Sequence, residues 1–398
     1  MNNDRPWHVL SRRTATGAVA AVLATAGLVG AVAPTAVAAP ASAAAPVRGT
    51  PDPAARQGEL RKVTDGKEAT AALGRVVENG RTTWKGRAGV SDLNTSAPVD
   101  TDGRFRIGSI TKTFTATTVL QLVGEGRIGL DEAIGTYLPG VVPGGDGITV
   151  RQILNHTSGI YSYTDDPTYH SGSEEWVKTG RWRAHSAQEI VAEAVKHPPY
   201  FAPGQGWHYS NTNYTLAGML IERVTGRSWN EEVERRIVRP LHLKDTSMPG
   251  TSPFLRGAYA RSYTKLASGP VDTTLINPSV AGAGGAGISS TADLARFHSA
   301  LLRGKLLRPA ELTEMKRTVE TGLGVAYGLG IQRLDVLDNL GCGKLWGHAG
   351  GIQGNVAYVF GDAEGRRQGV TAAALYGDAD AGAVIAQANK SVACTLTP

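Results

Sequence analysis

One stretch constrains this chain more than any other: residues 105–123, FRIGSITKTFTATTVLQLV. Phe105, Ile107 and Ile110 read as a short extended lead-in, and from Thr111 onward Phe114, Thr118, Val119, Leu122 and Val123 recur at helical spacing. Ser109 therefore stands where a helix begins. Residues three apart share a helix face, which brings the Lys112 amine one turn above the Ser109 hydroxyl. The pair is a candidate nucleophile with its own base. A free hydroxyl attacks poorly at neutral pH, and a helix N-terminus favours the negative charge that forms there by roughly 0.3–1 kcal/mol. A second Ser-x-x-Lys, Ser262 to Lys265, lies in a polar stretch with no helical period and reads as a surface loop. Setting, rather than spacing, separates the two.

The 398 residues are 41% hydrophobic and 19% charged, a globular balance that allows a sizeable core. Residues 1–46 depart from it. Arg5, Arg12 and Arg13 precede an apolar Ala/Val/Leu/Gly run over 15–32, and Ala-x-Ala follows at Ala36 and Ala38 and again at Ala41 and Ala43. This reads as a secretory signal peptide, so the expected mature protein is residues 47–398, secreted, with no stable membrane span. The formal net charge is +6, and losing Arg5, Arg12, Arg13 and Asp4 leaves the chain mildly basic. No Lys/Arg block interleaved with aromatics stands out, so nucleic acid is not an expected partner; an anionic cell wall is compatible with the charge. Cys342 and Cys394, the two cysteines, read as one disulfide in an exported chain. No Cys/His cluster has metal-ligand spacing and neither GxGxxG nor a P-loop occurs, so no metal and no cofactor is expected.

Along the chain, a short helix over 54–61 precedes a hairpin, 69–77 and 81–88, turned at Asn79-Gly80. Thr149, Ser186 and Ser228 open further helices, the last two as capping boxes with Glu189 and Glu231. Residues 160–185, rich in Tyr and Trp, read as a long loop of the kind that can line a pocket. Tyr209 and Asn211 alternate by two, so an extended segment would point both the same way. The glycine run 281–287 serves tight backbone packing before a helix capped at Ser290 or Thr291. Strands are expected over 327–334, 353–360 and 369–376, with a turn at 346–351 and a closing helix over 379–393. The order implies an α+β fold: an antiparallel sheet built from both ends of the chain and covered by helices, with an all-helical lobe inserted roughly at 125–280.

Three motifs stand in sequence order: Ser109-Ile-Thr-Lys112, Tyr209-Ser-Asn211 and His348-Ala-Gly350. A further His-x-Gly, at His170 and Gly172, is out of order. With the flanking TVRQILNHTSGIY, YSNTNYTLAGMLIERVTG, ISSTADLARF and YGLGI, the three resemble the serine penicillin-recognising enzymes. The resemblance is closest to the branch holding class C β-lactamases and secreted actinomycete D-alanyl-D-alanine carboxypeptidases, and it covers most of residues 65–398.

It implies an α/β sandwich beside a helical lobe with the site between them, and an acyl-enzyme on Ser109. Lys112 and Tyr209 would move the proton, with the base left open between them, and His348 would support Tyr209. Asn211 would bind the substrate amide, Gly350 and Gly351 would let substrate lie along the strand, and the Ser109 and Gly351 N–H groups would hold the oxyanion. The carboxypeptidase branch clamps a terminal carboxylate with hydroxyls after the histidine and an arginine on the preceding strand. Here those positions hold Ala349, Gly351 and Gln332, with Arg333 turned to the other face. The expected substrates are a D-alanyl peptide or β-lactam, with peptidoglycan as a wall partner. The alternatives are an esterase or D-aminopeptidase on the same scaffold, and a non-hydrolysing penicillin or wall-peptide binder.

Overall fold

The computed structural model describes residues 52–169, 171–335, 344–377 and 379–392. The expected leader, His170 and both cysteines, and with them the expected Cys342–Cys394 disulfide, lie outside the described residues. The chain opens with α1 (Pro53–Asp65), the hairpin β1 (Ala69–Glu78) and β2 (Arg81–Gly89), β3 (Arg104–Arg106) and α2 (Thr111–Gly124). Helices follow: α3 (Ile134–Tyr137), α4 (Val150–Asn155), α5 (Glu174–Lys178), α6 (Ala187–Ala194), α7 (Asn211–Thr225) and α8 (Trp229–Val233). Then come β4 (Tyr263–Leu266), β5 (Gly269–Asp272), α9 (Gly282–Gly285), β6 (Ile288–Ser290), α10 (Thr291–Leu302) and α11 (Pro309–Met315). The last part is β7 (Val319–Glu320), β8 (Val325–Tyr327), β9 (Gln332–Leu334), β10 (Leu345–Ile352), β11 (Asn355–Gly361), β12 (Arg367–Leu375) and α12 (Ala381–Asn389).

An eight-stranded antiparallel sheet runs in the order β2-β1-β12-β11-β10-β9-β8-β7, so an early strand and a late one pair as its second and third members, Leu73 facing Ala372 and Val76 facing Gly369. Asn79 and Gly80 both take positive φ in the β1–β2 turn, as a tight hairpin demands. Strand alternation divides the core. Ala72 and Val76 of β1, Val356, Tyr358 and Phe360 of β11 and Ala373 of β12 pack with Leu60 of α1 and Val384 and Ile385 of α12. The other face, with Leu73, Val77, Ala357, Val359 and Val370, packs toward α2 and α10, where Phe114 stacks on Phe297 at 3.6 Å. Between β3 and β4 no described residue joins a strand of the large sheet; this is the helical lobe.

Helix α2 is buried on every side rather than along one stripe. Its threonines make that tolerable: Thr113 donates to the Gly330 carbonyl and Thr115 to that of Ala283, both at 2.7 Å, while Thr117 and Thr118 bond back to the preceding turn. The capping boxes at Thr149, Ser186 and Ser228 are all present, and Ser290 caps α10.

Four expectations are corrected. Ser262–Lys265 is no surface loop: Ser262 is fully buried and Tyr263–Leu266 forms β4. The strand expected over 327–334 is broken into β8 and β9 by a turn at residues 328–331, closed by Gly328 N–H on the Ile331 carbonyl. Residues 346–351 are the middle of β10, with the turn moved to Gln353-Gly354. Asn211 opens α7 instead of continuing an extended segment.

Candidate active site

Ser109 sits in a short 3₁₀ turn, Gly108–Ile110, that leads directly into α2. The turn is pressed against β10. Gly108 has a φ of +49°, and a Cβ there would lie 2.6 Å from the Gly351 nitrogen; a Cβ on Gly350 would lie 1.9 Å from the Ile107 carbonyl oxygen. Only glycine permits this approach. Gly351 itself faces open space in the cleft, whereas Gly350 faces the turn beneath the nucleophile.

The Lys112 amine is fully buried, with Nζ at 3.0 Å from Ser109 Oγ, 2.7 Å from Asn211 Oδ1 and 2.7 Å from the Gly284 carbonyl. It thus joins α2, α7 and α9 at one point. Burial drives its pKa well below that of a free lysine. A neutral amine has two N–H donors and one lone pair. With Asn211 and Gly284 as acceptors, the lone pair is left for the Ser109 hydroxyl.

Tyr209 stands against this pair, its ring 4.9 Å from Nζ. Burial pushes its phenol up, opposed by a hydrogen-bonding contact with Ser109. Asn211 is doubly engaged: besides accepting from Lys112, its Nδ2 donates to Thr164 Oγ1 at 3.0 Å.

The structure brings Ser109, Lys112, Tyr209, Asn211 and Gly351 together and sets three other expected residues apart. His348 is buried, its Nε2 at 2.8 Å from the Tyr327 hydroxyl and its Nδ1 against the Ala349 carbonyl. It makes no hydrogen bond to Ser109 or Tyr209; Tyr327 stands between, edge-on to Tyr209 at 6.1 Å. Burial and the nearby lysine lower the imidazole to about 3. Gln332 points into the sheet, its Oε1 accepting from Ala349 N–H at 3.2 Å, and is not part of the cleft wall. Gly350 is the packing glycine already described.

Three residues without an assigned role in the sequence reading belong here. Tyr327 couples to His348, Thr164 holds Asn211, and His156 packs on Tyr209 at 4.3 Å and on Tyr327 at 4.7 Å. The His156 Nδ1 accepts from the Ser210 N–H at 3.1 Å, which leaves the proton on Nε2. His156 and Tyr327 lay in flanking text, NHTSG and YGLGI, whose partners become visible only after folding.

The cleft is a cavity of about 240 Å³. Its floor is Ser109, Tyr209 and Asn211; its walls include Tyr163, Tyr169 and Trp176 from residues 160–185, with Ile276 and Val280 beside them, Tyr163 donating to the Val280 carbonyl. No group of three or more His, Cys, Asp or Glu among the described residues is placed to hold a metal ion. No described helix is long and apolar enough to cross a membrane.

A Ser-x-x-Lys pair with a buried amine and a tyrosine against it, in a cleft between an eight-stranded antiparallel sheet and a helical lobe, defines a serine hydrolase of the penicillin-recognising kind. The chain belongs to the beta-lactamase family, whose model matches residues 59–390. Penicillin-binding protein 4* of Bacillus subtilis (strain 168) is 28% identical over 298 residues, 70% of this chain and 62% of that protein; the chain therefore spans less than two thirds of this relative's length. Among solved structures, a D-stereospecific amidohydrolase from Streptomyces sp. superposes with a TM-score of 0.76 at 40% identity, over 84% of this chain and 98% of the other. A D-amino acid amidase from Ochrobactrum anthropi SV3, complexed with L-phenylalanine, gives 0.74 at 29% identity, over 86% and 97%.

Proposed function

We propose that this protein is an exported serine amidase that takes amides with a D-configured acyl residue, through an acyl-enzyme on Ser109. The observation that carries the chemistry is the Lys112 amine, fully buried, held toward its neutral form and 3.0 Å from Ser109 Oγ. Neutral Lys112 takes the Ser109 proton as Oγ bonds to the carbonyl carbon. The oxyanion is met by the N–H groups of Ser109 and Gly351, each worth roughly 3–4 kcal/mol when lost. Tyr209, kept protonated by burial, gives its proton to the departing nitrogen and recovers one from the Lys112 ammonium. Water then attacks the ester, with the amine again as base. The opposed directions of the two shifts support Lys112, not Tyr209, as the resting base.

The substrate reading rests on the leaving side of the cleft. Gln332 is turned into the sheet, and Arg333 is paired with Asp335 at 2.7 Å and Glu320 at 3.3 Å, so neither offers a free partner to a terminal carboxylate. That disfavours a carboxypeptidase and suits an uncharged amide leaving group, in keeping with the amidohydrolase among the similar structures. The test is purified protein, with and without Ser109→Ala, on a D-amino-acid amide, its L-enantiomer, a D-Ala-D-Ala peptide, nitrocefin and a short ester. D-amide turnover that vanishes in the variant is expected. A preference for the D-Ala-D-Ala peptide or nitrocefin rejects the amidase reading, and turnover surviving in the variant rejects Ser109.

A further inference from the structure

One wall of the cleft carries charge that the acyl-transfer steps do not use. Arg181 and Arg183 both line it, and no carboxylate does among the described residues. Arg181 donates through Nη1 to the Asp272 carbonyl at 2.8 Å, its guanidinium lies 4.3 Å over the Trp182 ring, and its Nε is buried without a partner. The carboxylate of Asp272 is already taken by Arg261 and by the Thr274 N–H and hydroxyl. The Arg183 side chain is exposed and makes no hydrogen bond or ion pair with a described residue. The acid that feels its charge, Glu189, is engaged by Ser186 in a capping box.

Behind the same wall Arg106 is fully buried. Its Nη2 donates to the Pro253 and Ile276 carbonyls at 2.6 and 3.2 Å, while Nε and Nη1 have no partner. Three guanidinium groups that make no ion pair with a described carboxylate thus flank one side of the cavity, Asp272 acting on Arg181 only at longer range. The imbalance has consequences for ligands: a free ammonium placed there meets like charge, whereas a carboxylate finds a fork of N–H donors in partly dry surroundings.

The position of this wall indicates which part of a substrate it meets. Arg181 and Arg183 lie in the same cleft-lining stretch, residues 160–185, as Thr164, which holds Asn211, the residue that the resemblance assigns to the substrate amide. At the leaving side, Gln332 and Arg333 are both occupied.

We propose that Arg181 and Arg183 recognise a carboxylate on the acyl portion of the substrate, so that the preferred amides are N-blocked and acidic rather than D-amino amides with a free ammonium. This rests on the amidase reading and narrows it. The arginines are specificity-determining residues, remote from the reacting atoms.

The test compares N-succinyl-, N-acetyl- and unblocked D-phenylalanine p-nitroanilide at low and high salt. The succinyl compound is expected to lead the acetyl one in kcat/KM by about 10-fold or more, mainly through KM, with the unblocked amine slowest and the lead shrinking in high salt. Arg183→Gln, at an exposed side chain without hydrogen bonds, is expected to bring the succinyl-to-acetyl ratio toward one; Arg181→Gln checks the second cation. In parallel, the Ser109→Ala protein is titrated calorimetrically with N-succinyl- and N-acetyl-D-phenylalaninamide, a readout that needs no turnover. Equal binding of the two, or a preference untouched by both arginine variants, overturns the proposal. If Ser109→Ala discriminates but wild-type protein cleaves none of the anilides, the amidase reading fails and the carboxylate site stands.

Discussion

Lys112 has no acid to neutralise it, and burial sets its behaviour with pH. As pH falls through its lowered pKa the amine takes up a proton and can no longer accept one from Ser109. We therefore expect kcat/KM to fall on the acid side with the slope of a single group and to level off above it. Lys112→Arg, which stays charged at every accessible pH, should lose about 10²–10⁴-fold throughout. A second prediction concerns buried imidazoles. His298 and His348 are both lowered to about 3 by burial, so between about pH 6.5 and pH 3 the unfolded chain binds protons that the folded chain refuses, and stability must fall as pH falls. His298 has no hydrogen-bond partner on either ring nitrogen. His298→Leu should raise stability by about 1–3 kcal/mol at neutral pH and flatten the acid loss, as urea unfolding at two pH values would show. At this scale the sequence was informative about chemistry and silent about depth. Ser109 and Lys112 could be paired from helix geometry alone, but whether His348 touches Tyr209 depends on Tyr327, a residue whose place between them is set by strand register.

At the scale of elements, the approach of β10 to the nucleophile turn separates two neighbouring glycines. Gly350→Ala would drive a methyl group into the Ile107 carbonyl and should cost more than about 2 kcal/mol, with loss of activity to match. Gly351→Ala has open space, so its stability should stay within about 0.5 kcal/mol while turnover slows because the methyl group stands in the cleft. Denaturant unfolding set beside kcat/KM distinguishes the two. Equal stability losses would remove the distinction between a packing glycine and a cleft glycine. Elements set by local rules were legible beforehand: the capping boxes at Ser186 and Ser228 and the Asn79-Gly80 turn needed only neighbours in sequence. Residues 327–334 were not, because Gly328 and Gly330 break the strand for reasons that lie elsewhere. A Cβ at Gly328 would strike the Met315 carbonyl, and one at Gly330 would strike Ala116 of α2.

For the whole molecule, the α+β order was readable because strands cluster at both ends of the chain, whereas the pairing that joins those ends is a product of folding. Helices α1 and α12 cover the same face of the sheet, over Val76, Val356 and Phe360. Deleting α12 by ending the chain at Tyr376 should therefore leave protein that is insoluble or fails to melt cooperatively, as light scattering and thermal unfolding would report; a soluble, cooperative product would show the cover to be dispensable. The pairing of β1 with β12 also bears on how the protein comes into being. Strand β1 must wait for β12, about 290 residues later, before the two can pair and close that part of the sheet. Ser109 and Lys112 leave the ribosome well before the strand that carries Gly351. A nascent fragment that ends before β10 therefore holds the nucleophile and its base without the strand that completes the cleft.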